Sequence, residues 1–121
     1  MPVRKILVVD DSPTERHVMV EFLAGAGYAV LAEADGAAGV ATARREQPDL
    51  VLMDVVMPVM NGFEATRTLT RDPATAHIPV FLCTAKRDDA DRIWGMRQGA
   101  RAYITKPVDI SALLQRIAEL P

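Results

Sequence analysis

The length, composition and charge of the chain are those of a small globular domain. Its 121 residues are close to the commonest domain size, and an apolar content of 50% is enough for one buried core. The net charge is -2 and the 14 lysines and arginines are scattered, so we expect no nucleic-acid contact. Because every apolar run is too short for a signal-peptide core or a membrane span, we also expect no membrane contact and a cytoplasmic location. We expect one domain, residues 1–121, and no output domain.

Short apolar runs alternate with longer amphipathic stretches along the whole chain. This alternation is typical of strand–helix units that build a parallel sheet. The predicted strands are, in chain order, Lys5–Val9, Ala29–Glu33, Leu50–Met53, Val80–Cys83 and Ala102–Ile104. The first, third and fourth are almost continuously apolar, which predicts burial on both faces. We therefore expect an α/β domain with five strands and five helices.

The first predicted helix has the clearest start signal. Ser12 is expected to cap it, Pro13 to occupy its first position, and the Glu15 side chain to reach back in a capping box. The inner face of this helix is predicted to consist of apolar residues at helical spacing, Val18, Met19, Phe22, Leu23 and Ala26.

The later helices are less evenly marked. The third is predicted from about residue 63 to residue 71, and the last begins after Asp109. The fourth, from about residue 88 to residue 98, has three large apolar side chains, Ile93, Trp94 and Met96. We expect Trp94 and Met96 to pack inward, with contact to a partner as the alternative. We also expect so shallowly anchored a helix to be able to shift.

Acidic, hydroxyl and ammonium side chains stand where the apolar runs end. Asp10 and Asp11 follow the first run, Asp54 the third and Thr84 the fourth, and Lys106 comes after the fifth. Each alone is commonly a turn residue, a cap or a solvated charge. Parallel strands, however, bring their carboxyl ends to one edge of a sheet, where crowded carboxylates require a cation. Mg²⁺ favours a few carboxylates with water and phosphate oxygens, so the pattern predicts a site for a metal ion and a phosphoryl group.

The chain resembles the receiver domain of bacterial two-component response regulators along its whole length. The motifs that carry the resemblance are, in family order and spacing, Val8–Ser12, Met53–Pro58, Asn61–Gly62, Thr84–Ala85 and Tyr103–Pro107. A closer resemblance, to PilH-type single-domain regulators of twitching motility, rests on Asp11–Glu15 and Trp94–Arg101. The resemblance implies the doubly wound, flavodoxin-like fold of CheY itself, with strand order 2-1-3-4-5 and a ligand crevice between strands 1 and 3.

The resemblance also implies roles for the polar residues. Asp54 would be the phosphoacceptor, which agrees with the ability of a carboxylate to form an acyl phosphate. Asp11, Asp54 and the backbone carbonyl of Val56 would bind Mg²⁺, and Asp10 would help mainly through water. Lys106 and the Thr84 hydroxyl would contact phosphoryl oxygens.

Further residues would transmit or shape the site. By the same resemblance, phosphorylation would draw Thr84 inward and let the Tyr103 ring rotate, which would reshape the surface formed by helix 4, strand 5 and helix 5. Pro58 and Gly62 would shape the loop after Asp54, and Pro107 would follow Lys106 in a cis bond.

The implied function is that of a stand-alone regulator in a phosphorelay. A histidine kinase or histidine phosphotransfer domain of CheA type would supply the phosphoryl group, and the output would be twitching motility driven by type IV pili or chemotaxis-like signalling. A phosphate sink for a shared kinase is the alternative. The chain would assist its own phosphorylation and slow dephosphorylation without being a turnover enzyme, and would be a monomer or weak dimer.

Two classes of competing function fit the sequence less well. A haloacid-dehalogenase-type phosphatase also uses an aspartate nucleophile, but it needs a second acid two residues later, where this chain has Val56. A flavin-binding module on the same fold needs a hydroxyl-rich phosphate loop after the first strand. The acids Asp10 and Asp11 would repel phosphate there unless a metal ion intervened.

Overall fold

Strands and helices alternate throughout the computed structural model, which describes residues 2–121. In these residues the elements are β1 (Lys5–Val9), α1 (Pro13–Gly25), β2 (Ala29–Glu33), α2 (Gly36–Glu46), β3 (Leu50–Asp54), α3 (Gly62–Arg71), β4 (Val80–Thr84), α4 (Asp89–Arg97), β5 (Ala102–Thr105) and α5 (Ile110–Ala118). The strands are parallel and lie in the order β2-β1-β3-β4-β5, as predicted. Within residues 2–121, the helices are all too short or too polar to cross a bilayer.

Both faces of the sheet are covered by helices. Alternate residues of the central strands point to opposite faces, so Leu7 packs with α2 and α3 while Ile6 packs with α1 and α5. Every residue of β3 and β4 is buried, which confirms the prediction from their continuous apolarity. Both faces of the sheet are therefore covered, and the carboxyl ends of the strands remain accessible at one end of it.

Three strands extend one residue beyond their predicted ends. Asp54 pairs with Cys83, and Thr84 pairs with Thr105, so these polar residues continue the parallel ladder. The strand ends predicted from the apolar runs were one residue too early, because a strand can continue through a polar residue that faces a site. As a result, Asp54 and Thr84 are fixed by the sheet and buried.

The predicted capping box of α1 forms only in part. The Ser12 hydroxyl accepts a hydrogen bond from the Glu15 amide at 3.3 Å, as expected for the cap. The Ser12 amide, however, donates to Asp10 Oδ1 at 2.9 Å, and the Glu15 carboxylate lies 3.1 Å from Lys106 Nζ. The expectation for Glu15 was wrong because an ammonium group, distant in sequence, is available to it.

The inner face of α1 is rotated from the predicted one. Leu23 is fully buried and Met19 packs beside it, but Val18 and Phe22 are 46% and 47% exposed. Ala26 lies beyond the last turn as the C-cap. The predicted stripe was too wide because the helix buries a narrower strip, outside which Val18 and Phe22 are half exposed.

The inward packing expected for Trp94 and Met96 in α4 is also wrong. Ile93, Trp94 and Met96 are 53%, 48% and 43% exposed, whereas Gly95 is the buried residue of this helix. A Cβ atom on Gly95 would lie 2.8 Å from Leu82 Cδ1 and 3.1 Å from a Tyr103 ring carbon. The helix approaches the sheet so closely that its contact residue has no side chain.

The starts of α3 and α5 lie at or within one residue of the predicted ones. Asn61 and Glu64 form a complete capping box at the start of α3, which begins one residue earlier than predicted. Asp109 caps α5 by accepting a hydrogen bond from the Ala112 amide at 3.1 Å.

Candidate functional site

Three carboxylates meet at the carboxyl ends of β1 and β3. Asp54 is the last residue of β3, and Asp10 and Asp11 directly follow β1, its neighbour in the sheet. One oxygen from each carboxylate lies within 4.8 Å of the other two. Asp10 and Asp54 are buried, whereas Asp11 is exposed. Three hard oxygen donors that open to solvent on one side fit Mg²⁺, which combines a few carboxylates with water.

The ammonium group of Lys106 reaches into this acidic cleft. Lys106 Nζ lies 3.1 Å from Glu15 Oε1, 3.2 Å from Asp10 Oδ2 and 3.6 Å from Asp54 Oδ1. Burial lowers the pKa of Lys106, but the charge of Asp54 and the contacts with Glu15 and Asp10 raise it above its usual value overall. Lys106 is therefore a permanent cation beside Asp54.

Asp54 is the carboxylate whose ionisation is most strongly perturbed. Burial raises its pKa to about 6, Asp10 and Asp11 add to that increase, and Lys106 and the Val55 amide oppose it. The Val55 N–H donates to Asp54 Oδ1 at 2.9 Å and so orients the group. Near neutral pH most of the Asp54 side chain is ionised, which is the form that can act as a nucleophile.

Thr84 and Tyr103 are linked through the backbone of Lys86. The buried Thr84 hydroxyl accepts a hydrogen bond from the Lys86 amide at 3.1 Å, and the Tyr103 hydroxyl donates to the Lys86 carbonyl oxygen at 2.9 Å. The Tyr103 ring is only 4% exposed and lies 5.3 Å from the Arg92 guanidinium of α4. The ring is therefore buried in this structure, and its rotation on phosphorylation stays a prediction.

The loop after β3 is held tightly against the end of that strand. A Cβ atom on Gly62 would lie 2.0 Å from the Asp54 carbonyl oxygen, so only glycine fits there. The Gly62 amide donates to the Val55 carbonyl at 2.8 Å, and the Pro58 carbonyl accepts from Met60. Val56 lies in this loop with its side chain 59% exposed. In the segment after β5, the Lys106–Pro107 bond is cis.

Several residues near the cleft were not assigned a site contact from the sequence. Glu15 was interpreted only as a helix cap, although it contacts Lys106. Lys86 contributes backbone groups, which any residue type could supply, so no sequence signal marks it. The Arg87 guanidinium donates to the Lys106 carbonyl oxygen at 2.8 Å and joins two loops that are 19 residues apart in sequence.

This combination of fold and site defines a class of signalling domain. The family described as "Response regulator receiver domain" matches residues 6–118. The chain belongs to this family, which confirms the resemblance recognised from the motifs. It is 54% identical over 113 residues to Protein PilH of Pseudomonas aeruginosa, a match that covers 93% of each chain.

Solved structures agree with the fold and with the chemistry of the cleft. The chemotaxis protein CheY4 of Vibrio cholerae superimposes with a TM-score of 0.89 and 31% identity, covering 95% of this chain and 96% of that one. The receiver domain of a Pseudomonas aeruginosa sensor histidine kinase gives 0.87 and 31% identity, covering 95% and 94%. That domain was crystallised with a magnesium ion coordinated in its active site cleft.

Proposed function

We propose that this protein is a response regulator that accepts a phosphoryl group on Asp54. The observation that carries the proposal is the placement of a buried, oriented carboxylate 3.6 Å from the Lys106 ammonium and beside Asp10 and Asp11. This arrangement provides a nucleophile, a cation for the transferred group and donors for a metal ion. The comparisons support receiver chemistry in general, and the assignment of these residues is our own.

The transfer would need little from the protein beyond positioning and charge. An Asp54 oxygen would attack the phosphorus of a phosphohistidine, the new O–P bond would replace the N–P bond, and the imidazole would leave with the electron pair and take up a proton. Lys106 and the Thr84 hydroxyl would donate to phosphoryl oxygens.

The acidic residues of the cleft would hold the metal ion. Asp11, Asp54 and the Val56 carbonyl would bind Mg²⁺ directly, and Asp10 would bind it through water. The ion would supply neutralisation of the charge on the transferring group. The solved relative with magnesium in its cleft supports this choice of metal.

A path for the signal runs from the cleft to the surface of α4, β5 and α5. If the Thr84 hydroxyl turns to donate to a phosphoryl oxygen, its hydrogen bond with the Lys86 amide is lost or shifted. The Tyr103 hydroxyl donates to the carbonyl oxygen of the same Lys86 residue and would be affected in turn. Tyr103 in turn packs against Gly95 and Arg92 of α4. Phosphorylation would thus bias two arrangements of this surface that differ by about a few kcal/mol.

The phosphodonor would be a histidine kinase or a histidine phosphotransfer domain of CheA type. The exposed Val18 and Phe22 line a groove of about 270 Å³ that also reaches Lys106 and would offer apolar contact beside the cleft. The 54% identity to PilH supports a role in type IV pilus twitching motility or chemotaxis-like signalling. The single-domain organisation, the cytoplasmic location and the choice between an effector and a phosphate sink stay predictions.

Loss of the phosphoryl group should be slow, in keeping with a switch and not a turnover enzyme. Rapid hydrolysis needs a polar or acidic group that orients water. The exposed side chain two residues after Asp54 is Val56, which is apolar, and Lys86 occupies the corresponding position after Thr84. Decay of the phosphorylated protein within seconds at neutral pH would contradict this expectation.

The decisive experiment is transfer of labelled phosphoryl groups. The protein is incubated with Mg²⁺ and phosphorylated candidate kinases or histidine phosphotransfer domains, next to Asp54→Ala and Asp72→Asn. Asp72 is a matched control because it lies at the far end of α3 and pairs with Arg44 at 2.7 Å. We expect label on the wild type and on Asp72→Asn, none on Asp54→Ala, and loss of transfer when the metal is chelated. Label that persists in Asp54→Ala would overturn the proposal.

A further inference from the structure

Glu15 makes a contact that its helix-capping position does not explain. It lies in the first turn of α1, yet its carboxylate is 3.1 Å from Lys106 Nζ, the shortest of the three ion-pair contacts that this ammonium makes within residues 2–121. The amide that Glu15 would have capped, that of Ser12, is already bound by Asp10 at 2.9 Å. The Glu15 side chain is therefore committed to the cleft.

We propose that Glu15 is a positioning residue that holds the Lys106 ammonium on the α1 side of the cleft and competes with the phosphoryl group for it. This inference rests on the proposed role of Asp54 as acceptor. Glu15 does not touch the reacting atoms in this proposal; it acts through Lys106.

The geometry sets the direction of the effect. Glu15 and Asp54 reach Lys106 from different elements, α1 and β3, and the contact with Asp54 is the longer one at 3.6 Å. Asp10 and Asp54 belong to the acidic cluster that would bind a metal ion, whereas Glu15 does not. Metal binding would thus engage two of the three partners of Lys106 and leave the contact with Glu15 available. Removing the Glu15 charge should free the ammonium for a phosphoryl oxygen.

The size of the effect follows from exposure. The Glu15 side chain is 52% exposed and that of Lys106 is 18% exposed, so water and salt screen the pair. Half-exposed ion pairs of this kind change equilibria by about two- to fivefold at low ionic strength. The effect should shrink as salt is added, because the Debye length falls to about 3 Å at 1 M salt.

The test measures the affinity of the Mg²⁺-loaded protein for beryllofluoride, a mimic of the phosphoryl group. Glu15→Gln keeps the length of the side chain without its charge, and Glu15→Asp keeps the charge with a shorter reach. Glu21→Gln is the matched control, because Glu21 is an exposed acid on the same helix that lies near His17 and away from the cleft. We expect Glu15→Gln to lower the dissociation constant of beryllofluoride by about two- to fivefold and Glu21→Gln to leave it unchanged.

Glu15→Asp separates contact from charge. If the contact with Lys106 matters, the shortened variant should bind beryllofluoride more tightly than the wild type does. If Glu15 acts only through long-range charge, Glu15→Asp should match the wild type, which would overturn the inference.

A metal-free measurement addresses the ion pair by itself. Urea midpoints are compared for the wild type, Glu15→Gln, Lys106→Met and the double variant in chelator. The pair predicts that Glu15→Gln lowers the midpoint when Lys106 is present and has less effect after Lys106→Met. Equal effects in both backgrounds would assign Glu15 to the helix dipole alone and overturn the inference.

Failure of this inference is distinguishable from failure of the proposed function. If the wild type binds no beryllofluoride, or if Asp54→Ala binds it equally well, the role of Asp54 is wrong. If the wild type binds it through Asp54 but Glu15→Gln and Glu21→Gln behave alike, only the inference about Glu15 is wrong.

Discussion

The ionised form of Asp54 is less favourable in the folded protein than in the unfolded chain. Burial first, and then the charges of Asp10 and Asp11, raise the pKa of Asp54 from its ordinary value of 3.8 to about 6. Between these values the folded state holds a proton that the unfolded state has lost. The contribution of Asp54 to the free energy of unfolding therefore falls as the pH rises from about 4 to about 6, and the loss is complete above that range.

We predict that Asp54→Asn stabilises the metal-free protein at neutral pH. The gain should be roughly 1–3 kcal/mol near pH 7 and much smaller near pH 4, where the carboxyl group is already protonated in the folded state. Urea unfolding in chelator at the two pH values measures it. Added Mg²⁺ should reduce the difference, since the ion stabilises the wild-type carboxylates.

Asp72→Asn is a control whose effect on the free energy of unfolding should have the opposite sign. The Ala74 amide, and then Arg44, lower the pKa of Asp72, so its stabilising effect is present above its ordinary pKa and is lost as the pH falls. This variant should weaken the protein near neutral pH. If Asp54→Asn gave the same gain at both pH values, packing and not charge would explain it.

The proximity of site residues could be predicted where the sheet topology brings strand ends together. Asp10, Asp54 and Thr84 come at strand ends, and parallel strands must bring those ends together. The contacts of Glu15 and Lys86 were not predictable in this way. The Glu15 carboxylate contacts Lys106, which lies 91 positions away in sequence, and does not cap the helix. Lys86 acts through backbone groups, which carry no residue-specific signal.

Among the elements, the strands were easier to predict than the helix faces. A strand buried on both sides needs only a continuous apolar run, and β3 and β4 have one. A helix face depends on which side chains its neighbours admit. In α4 the large apolar residues Trp94 and Met96 suggested the inner face, but the neighbouring side chains admit only Gly95 there.

The close approach of α4 predicts the effect of a single methyl group. Gly95→Ala would place a Cβ 2.8 Å from Leu82 Cδ1 and 3.1 Å from the Tyr103 ring, inside a packed core. We expect a loss of about 1–3 kcal/mol in the free energy of unfolding. Gly25→Ala, at the end of α1, is the matched control, because its Cβ would meet nothing within 4 Å. The control should be neutral or stabilising by up to about 1 kcal/mol, and equal losses in both variants would show that α4 does not pack as described.

The molecule as a whole connects its acidic cleft to a distant surface through few contacts. Thr84, the Lys86 backbone and Tyr103 form a chain of hydrogen bonds from the strand end to β5. The same tyrosine lies against Gly95 and Arg92 of α4. A change at one end of this chain can therefore alter the packing of a helix that exposes Trp94 and Met96 to solvent.

This connection predicts how far the effect of a phosphoryl mimic spreads. Adding beryllofluoride and Mg²⁺ should shift backbone amide resonances around Asp54 and Thr84 and also those of Lys86, Tyr103 and α4. Tyr103→Phe removes the hydrogen bond to the Lys86 carbonyl, which should cost about 0.5–1.5 kcal/mol of stability while leaving the acidic cleft intact. In that variant we expect the shifts near Asp54 to persist and those in α4 to shrink, because the hydroxyl that couples them is gone. If the shifts in the wild type are confined to the cleft, no signal reaches α4. If the α4 shifts are unchanged in Tyr103→Phe, the signal reaches α4 without the Tyr103 hydroxyl.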